Sequence, residues 1–247
     1  MLIIAPMAHE ATRLRIVTYN VHRCRGLDRR TKVERVADVL RATDADVVAL
    51  QEVLGPGPAS GGQLEELGAR LGMGWVLAPT RHLRGRAYGN AVLSRFPIVG
   101  HAQYDLTWQT CEPRCCLRAD VQVGPRVLHV YNVHLGTAMR ERRHQAGRLA
   151  TFVHDRRTRG PKVVLGDCNE WLRGEATRIL SATLDGVDLP GSLRRRRTYP
   201  GVMPLLHLDH IYVEGGIEVG HVGLVRTRTA LVASDHVPLV AEIRLRD

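Results

Sequence analysis

Acidic, amide and imidazole side chains recur in this sequence at the ends of short apolar runs. They are Asn20, His22, Glu52, Asn132, His134, Asp167, Asn169, Asp209, His210, and the triplet Ser234-Asp235-His236. The end of a strand holds a side chain rigidly beside open space, so the repetition suggests one shared site. Taken singly, the same residues have simple structural explanations: Asp167 and Asn169 suit a helix cap, and His134 suits a buried core position.

The chemistry of the combined set points to phosphate ester hydrolysis. The carboxylates of Glu52, Asp167, Asp209 and Asp235 are hard oxygen ligands that suit magnesium or manganese. Histidines such as His134 and His236 donate hydrogen bonds to phosphate oxygens. Together these side chains predict a site for metal-assisted hydrolysis.

Other catalytic signatures are missing from the sequence. No helical pair of histidines with zinc-protease spacing occurs, and no Gly-x-Ser-x-Gly elbow, Walker loop or Gly-x-Gly-x-x-Gly fingerprint is present. The five cysteines are an odd number without paired Cys-x-x-Cys clusters, so neither a disulfide framework nor a structural zinc site is indicated.

The composition adds a basic surface to this picture. The chain has 247 residues and a formal net charge of +10, and all but two of its 35 basic residues are arginine. Arginine suits phosphate contacts, so nucleic acid, anionic lipid headgroups and small phosphate esters are all candidate partners, although a genome rich in arginine codons would give the same excess. No apolar run is long enough to span a bilayer and no secretory signal is visible. We therefore expect a cytoplasmic monomer with no transmembrane segment and no stable protein partner.

Strand and helix patterns alternate along the chain and predict an α/β protein. Period-two or buried apolar runs predict strands at 14–19, 47–50, 87–93, 98–106, 115–123, 127–133, 162–165, 210–213, 218–225 and 237–245. Apolar residues at helical spacing predict helices near 33–40, 64–71, 138–155 and 175–180. The four strands between 87 and 133 suit an antiparallel meander. We expect one catalytic domain over residues 13–247 after an N-terminal extension at 1–12.

Seven short motifs occur in a fixed order across nearly the whole chain. They are Tyr19-Asn20-Val21-His22, Gln51-Glu52-Val53, the segment 89–97 (GNAVLSRFP), Asn132-Val133-His134-Leu135, Gly166-Asp167-Cys168-Asn169, Leu208-Asp209-His210-Ile211 and Ser234-Asp235-His236. The series resembles the endonuclease/exonuclease/phosphatase superfamily. That resemblance implies a four-layered α/β sandwich, in which two mainly antiparallel sheets pack face to face with helices outside.

The resemblance also implies a role for each matching residue. Glu52 would be the principal ligand of Mg²⁺ (or Mn²⁺), assisted by Asn20 and Asp235. Asp167 and Asn169 would orient the attacking water and the phosphate. His236, steered by Asp209, would contact the scissile phosphate, and His134 would be a second phosphate donor.

Departures from the abasic-site endonuclease pattern bear on the substrate. His22 and the Asn132-Val133-His134 segment make the chain look closer to the DNase I, sphingomyelinase and phosphoinositide phosphatase branches. Cys168 stands where an aromatic residue is usual.

Predicted substrate contacts are Arg114, Asn132, and Arg197 at the end of the Arg194–Arg197 run. The leading prediction is a magnesium-dependent, nuclease-like phosphodiesterase that uses water as the nucleophile. The alternatives are a phospholipid or phosphoinositide headgroup hydrolase, and a catalytically idle module that binds phosphate groups or nucleic acid.

Overall fold

A computed structural model gives the architecture, and the structure describes residues 12–57, 61–187, 197–201, 203 and 205–246. The N-terminal extension predicted at 1–12 and Arg194 to Arg196 therefore lie almost entirely outside the described residues. The strands are β1 (Arg13–Asn20), β2 (Val47–Leu54), β3 (Gly74–Leu83), β4 (Arg86–Ser94), β5 (Ile98–Asp105), β6 (Cys115–Val123), β7 (Arg126–His134), β8 (Lys162–Asp167), β9 (Asp185–Gly186), β10 (Asp209–Glu214), β11 (Ile217–Leu224) and β12 (Leu239–Leu245). The helices are α1 (Val33–Thr43), α2 (Gln63–Leu71), α3 (Met139–Val153), α4 (Glu175–Ser181) and α5 (Arg228–Ala233).

The strands form two six-stranded sheets. The first sheet has the order β11-β12-β1-β2-β4-β3, and the second has the order β5-β6-β7-β8-β10-β9. Each sheet contains one parallel pair, β1 with β2 and β7 with β8, joined by α1 and α3 respectively, and the other pairs are antiparallel. This arrangement confirms the expected α/β sandwich of mainly antiparallel sheets.

Alternation along the strands explains the layers. In β1, Leu14 and Ile16 join the apolar cluster between the two sheets, whereas Val17 and Tyr19 join the cluster formed with α1, α2 and α5. A third cluster lies between the second sheet and the helices α3 and α4. Three apolar interfaces thus hold four layers together. Among the described residues, no helix is long and apolar enough to cross a membrane.

The predicted meander over 87–133 is wrong at its first strand. β4 pairs with β2 and β3 in the first sheet, and only β5, β6 and β7 form a meander, in the second sheet. The chain passes from one sheet to the other through Arg95, Phe96 and Pro97, and Phe96 packs in the cluster between the sheets. A short turn can therefore join two sheets as well as two paired strands.

The topology gathers the predicted chemical residues at one edge of the sandwich. Parallel strands end together, so Asn20 of β1 and the Glu52 segment of β2 lie side by side, as do His134 of β7 and Asp167 of β8. β10 runs antiparallel to β8 and begins at this same edge, with Asp209 opposite Asp167.

Candidate active site

Asp167 lies at the centre of the polar cluster. Its Oδ2 atom accepts a hydrogen bond from Nδ2 of Asn20 at 3.0 Å and lies 3.5 Å from Nε2 of both His134 and His236. Its Oδ1 atom accepts a hydrogen bond from the backbone N–H of Asn169 at 2.9 Å. One buried carboxylate therefore joins residues from both sheets.

Gly166 allows β8 to hold Asp167 this close to β7. Its φ is +150°, and a Cβ atom there would lie 1.9 Å from the carbonyl oxygen of Val133. Any side chain at this position would separate the two parallel strands. The glycine before Asp167 is thus required by the packing of the backbone.

Burial and neighbouring charge set the protonation of Asp167. Loss of water around the carboxyl, reinforced by the negative charge of Asp209, raises the pKa of Asp167 to about 6, against the opposing effect of His236. A carboxyl with this pKa accepts a proton more readily than a surface aspartate and still ionises near neutral pH.

His236 and Asp209 form a buried carboxylate–imidazole pair. Nδ1 of His236 lies 2.8 Å from Oδ2 of Asp209, and both side chains are almost fully buried. Burial opposes the charged ring, but the carboxylates of Asp209 and Asp167 outweigh it and raise the pKa of His236 to about 10. His236 is therefore an imidazolium at neutral pH, and the ring of Tyr199 packs on it with centroids 5.1 Å apart.

His134, unlike His236, is a neutral imidazole. Its Nδ1 lies 3.1 Å from Nη1 of Arg114, and Nη2 of the same guanidinium donates a hydrogen bond to Glu112 at 3.0 Å. A guanidinium can only donate, so Nδ1 of His134 accepts and Nε2 carries the proton. Burial, together with the positive charge of Arg114, lowers the pKa of His134 to about 3. Asp167 thus lies between one neutral and one cationic imidazole.

Glu52 faces the cluster because the pairing of β2 with β4 is interrupted. The register shifts between Leu50 and Val53, and Glu52 has a φ of +57°. Burial would raise the pKa of its carboxyl, but hydrogen bonds from the Asn20 amide and from Tyr88 help to hold that pKa below its ordinary value. Glu52 is accordingly ionised.

Asn20 and Asp235 complete this corner of the site. Nδ2 of Asn20 lies 3.2 Å from Oε1 of Glu52, and its Oδ1 accepts the backbone N–H of His22. Ser234 Oγ donates a hydrogen bond to the backbone carbonyl of Asn20 at 2.8 Å, and Oδ2 of Asp235 lies 3.6 Å from Nδ1 of His22. In this arrangement the Asn20 amide orients the carboxylates of Glu52 and Asp167 through its nitrogen.

The donor set fits a hard divalent cation that keeps part of its water shell. Within the described parts of the chain, no three His, Cys, Asp or Glu side chains converge into a closed metal cage. Magnesium typically takes only one or two protein carboxylates and fills its remaining positions with water and substrate phosphate. An ionised Glu52, with the part-exposed Asp235 at the same corner, matches that requirement.

Of the three predicted substrate contacts, Arg114 joins the cluster through His134, whereas Asn132 does not point into it. The Asn132 side chain is fully buried between the sheets, where it donates to the carbonyls of Leu50 and Ala91 and accepts from Gln51, with all three contacts at 2.8 Å. Its role in the structure is therefore to bridge the sheets. The backbone carbonyl of Arg197 accepts a hydrogen bond from Nη2 of Arg226 at 3.4 Å, and the role of its side chain stays a prediction.

The other predicted residues lie in the cluster, together with three that the sequence did not single out as ligands or catalysts. Asn169 has a φ of +50° and ties the loop after β8 to the carbonyl of Leu135 at 2.9 Å. Tyr88, Tyr199 and His22 are the additions. His22 follows Asn20 closely in the first motif, whereas nothing in the local sequence of Tyr88 or Tyr199 reveals their contacts with Glu52 and His236.

The two-sheet sandwich and its acid–amide–imidazole cluster match the superfamily that the sequence motifs resemble. The chain matches the Endonuclease/Exonuclease/phosphatase family over residues 17–236, and it belongs to that family. Members of this family are hydrolases of phosphate esters and generally use divalent metals.

Relatives of known sequence or structure cover almost the whole chain. The chain is 32% identical to the uncharacterized protein YbhP of Escherichia coli K12, over 94% of this chain and 96% of YbhP. It is 25% identical to an endonuclease/exonuclease/phosphatase from Beutenbergia cavernae, with a TM-score of 0.71, over 94% of this chain and 72% of the other. TDP2 of D. rerio, solved with a single-strand DNA product, has the same fold, with a TM-score of 0.74 at 18% identity, over 94% and 99% of the two chains.

Proposed function

We propose that this protein is a phosphodiesterase that depends on magnesium or manganese and cleaves a P–O bond by direct attack of water. The observation that carries the proposal is the position of Asp167. This buried carboxylate lies 3.5 Å from two imidazoles, of which His134 is neutral and His236 is cationic. A base, a neutral donor and a cation thus face the same small volume, which suits proton removal from water beside a phosphate.

Each residue of the cluster has a defined part in this reaction. Asp167 accepts the proton of the attacking water, and Asn169 holds the water and a phosphate oxygen. The imidazolium of His236 stabilises the negative charge that builds on the phosphoryl oxygens, or protonates the leaving oxygen. His134 donates through Nε2 to another phosphate oxygen, with Arg114 fixing its tautomer.

Glu52 and Asp235 would hold the divalent cation, with Asn20 orienting Glu52. When bound, such a cation neutralises charge on the phosphoryl group and lowers the pKa of a coordinated water. Every group in this scheme comes from one chain, so we propose that the protein acts as a monomer.

The test is hydrolysis of bis-p-nitrophenyl phosphate, plasmid DNA and a panel of phospholipids, each with Mg²⁺, Mn²⁺ or EDTA. Turnover that needs metal and is lost in both Asp167→Asn and His236→Ala would support the proposal, and the preferred substrate would identify the class. Glu52→Gln should raise the metal concentration needed for half-maximal rate.

A different result would favour the catalytically idle module. If no substrate is turned over, while DNA or lipid binding is the same in the wild type and both variants, the enzymatic proposal is refuted. Binding that survives Glu52→Gln without any metal requirement would point the same way.

Two substrate classes remain in the proposal, each with its own support. A nucleic acid is favoured by the arginine-rich surface and by the single-strand DNA product held on this fold in TDP2. A phospholipid headgroup is favoured by large apolar side chains that are exposed beside the site, at Met139, Trp171 and Leu172.

A further inference from the structure

Three neighbouring loops of the second sheet present large apolar side chains at the edge that carries the polar cluster. Trp108 lies between β5 and β6, Met139 begins α3 after β7, and Trp171 and Leu172 lie between β8 and α4. Met139, Trp171 and Leu172 are 68%, 65% and 80% exposed. We call these four residues the apolar rim.

Contacts through α3 bring the loops that carry the rim next to one another. Trp108 packs near His144, with ring centroids 6.3 Å apart, and Arg143 lies 3.5 Å from Glu175 at the start of α4. Met139 is one helical turn before Arg143. Asn169, two residues before Trp171, donates a hydrogen bond to the carbonyl of Leu135 in the loop before Met139.

One buried carboxylate ties together the ends of the loop that carries Trp171 and Leu172. The buried carboxylate of Glu170 accepts hydrogen bonds from the backbone N–H groups of Ala176 and Thr177 and from the Thr177 hydroxyl, at 3.1, 2.7 and 2.6 Å. This anchor fixes both ends of the 170–177 segment. The exposure of Trp171 and Leu172 is thus imposed by the fold, and their apolar surface contributes little to its stability.

Basic side chains border the rim. Arg140 and Arg143 are exposed in the first two turns of α3, directly after Met139. The acidic groups near this region are Glu175, which is paired with Arg143, Glu112, which is paired with Arg81 and Arg114, and the exposed Asp105, which Arg148 of α3 partly offsets. Glu141 and Glu170 are buried. The border of the rim is therefore positive, in keeping with the net charge of +10.

We infer that the apolar rim docks the protein onto the surface of an anionic phospholipid bilayer. Tryptophan prefers the boundary between headgroups and acyl chains, leucine and methionine insert below it, and flanking arginines attract anionic lipids. Leu172 and Met139 have no aromatic face on which a nucleic-acid base could stack. Their exposed side chains would therefore be covered better by the apolar interior of a bilayer than by a nucleic acid. A bilayer at this edge would also bring its phosphate groups to the polar cluster.

The test is co-sedimentation with vesicles of phosphatidylcholine alone or mixed equally with phosphatidylglycerol, in EDTA so that no turnover is needed. The wild type should partition onto the mixed vesicles. Trp171→Ser with Leu172→Ser should weaken that partition by about tenfold or more. The control is Val99→Ser, which changes an apolar residue that is 58% exposed near the start of β5, at the end away from Trp108, and should leave the partition unchanged.

The charge contribution has its own pair of variants. Arg140→Gln with Arg143→Gln should reduce binding to the mixed vesicles several-fold and weaken its dependence on salt. Arg13→Gln with Arg156→Gln removes two exposed arginines far from the rim and should have no effect.

Several results would overturn the inference. The wild type could fail to bind either vesicle, or the Trp171/Leu172 double variant could bind as well as the wild type. Loss of oligonucleotide affinity or of self-association in that variant, with vesicle binding unchanged, would assign the rim to a nucleic acid or to a second copy of the chain. Hydrolysis of bis-p-nitrophenyl phosphate is measured separately, and the double variant should retain it, so the failure of docking and the failure of the proposed activity are distinguishable.

Discussion

Nδ1 of His236 lies 2.8 Å from Oδ2 of Asp209 in the interior of the site, and both side chains are almost fully shielded from water. An imidazolium buried on its own would lose its proton, so its charge depends on this carboxylate and on Asp167. The relationship makes Asp209 a positioning residue whose loss should change the protonation of His236.

Asp209→Asn should lower kcat by about 10- to 100-fold and lower the pKa of His236 from its value of about 10. If the imidazolium is the active form, the high-pH limb of the rate profile should move toward neutral pH. The measurement is kcat against pH for both proteins. A purely structural role would reduce kcat equally at all pH values and leave the position of that limb unchanged.

The low-pH limb should report Asp167. The proposed base works only as a carboxylate, and its pKa is raised to about 6, so kcat/KM should rise as the pH increases through about 6. A limb near 4, which is typical of an exposed carboxyl, would contradict the assignment. Bound metal shifts such a limb downward, so the profile is best compared at several Mg²⁺ concentrations.

The raised pKa of Asp167 predicts that this residue lowers the stability of the fold while it supports turnover. The folded-state pKa of Asp167 is above its unfolded value, so ionisation favours the unfolded chain, and stability is lost as the pH rises from about 4 through 6. Asp167→Asn removes this penalty. It should abolish turnover while raising the free energy of unfolding at pH 8 by about 1–2 kcal/mol.

Urea denaturation in EDTA checks this prediction at two pH values. The gain should be present at pH 8 and nearly absent at pH 4, where the aspartate is protonated in the folded state. A variant that is less stable than the wild type at pH 8 would show that the pairing of Asp167 with His236 outweighs its burial.

Arg114 offers a test of the neutral imidazole. Its guanidinium donates to Nδ1 of His134 and adds to the burial that keeps the pKa of this ring at about 3. Arg114→Ala should therefore raise the pKa of His134, which can be followed by NMR titration of the ring, and should raise KM for a phosphodiester. Arg114→Lys should restore part of the KM effect, since it keeps the charge without the forked geometry. An unchanged His134 titration would contradict the effect of Arg114 on this ring.

Those site residues whose positions depend only on the local sequence pattern can be predicted from the sequence. Asp167 and Asn20 end buried strands, and a strand end fixes the edge at which a side chain emerges, so their convergence follows once the parallel pairing is known. The strand β3 escapes prediction because it is an edge strand with Pro79 and several exposed polar residues, which dilute the apolar alternation.

Contacts between distant segments lie beyond the reach of local pattern. Tyr199 meets His236, and Tyr88 bonds to Glu52, only because the loops and sheets bring these segments together. Asn132 is the clearest case. Its position beside His134 suggests a substrate contact, but the packing of one sheet on the other converts it into an internal bridge.

The bridge made by Asn132 predicts that Asn132 and Asn169 differ in what they contribute to stability and to activity. Asn132→Ala leaves the carbonyls of Leu50 and Ala91 without their donor in a dry interior, which should reduce the free energy of unfolding by about 2–4 kcal/mol. Asn169→Ala removes one backbone contact and places alanine at a φ of +50°, so its effect on stability should be about 1–2 kcal/mol and its effect on kcat large. Urea denaturation and steady-state kinetics on both variants separate the two roles. If Asn132→Ala unfolds like the wild type and instead raises KM, Asn132 contacts substrate and the bridging assignment fails.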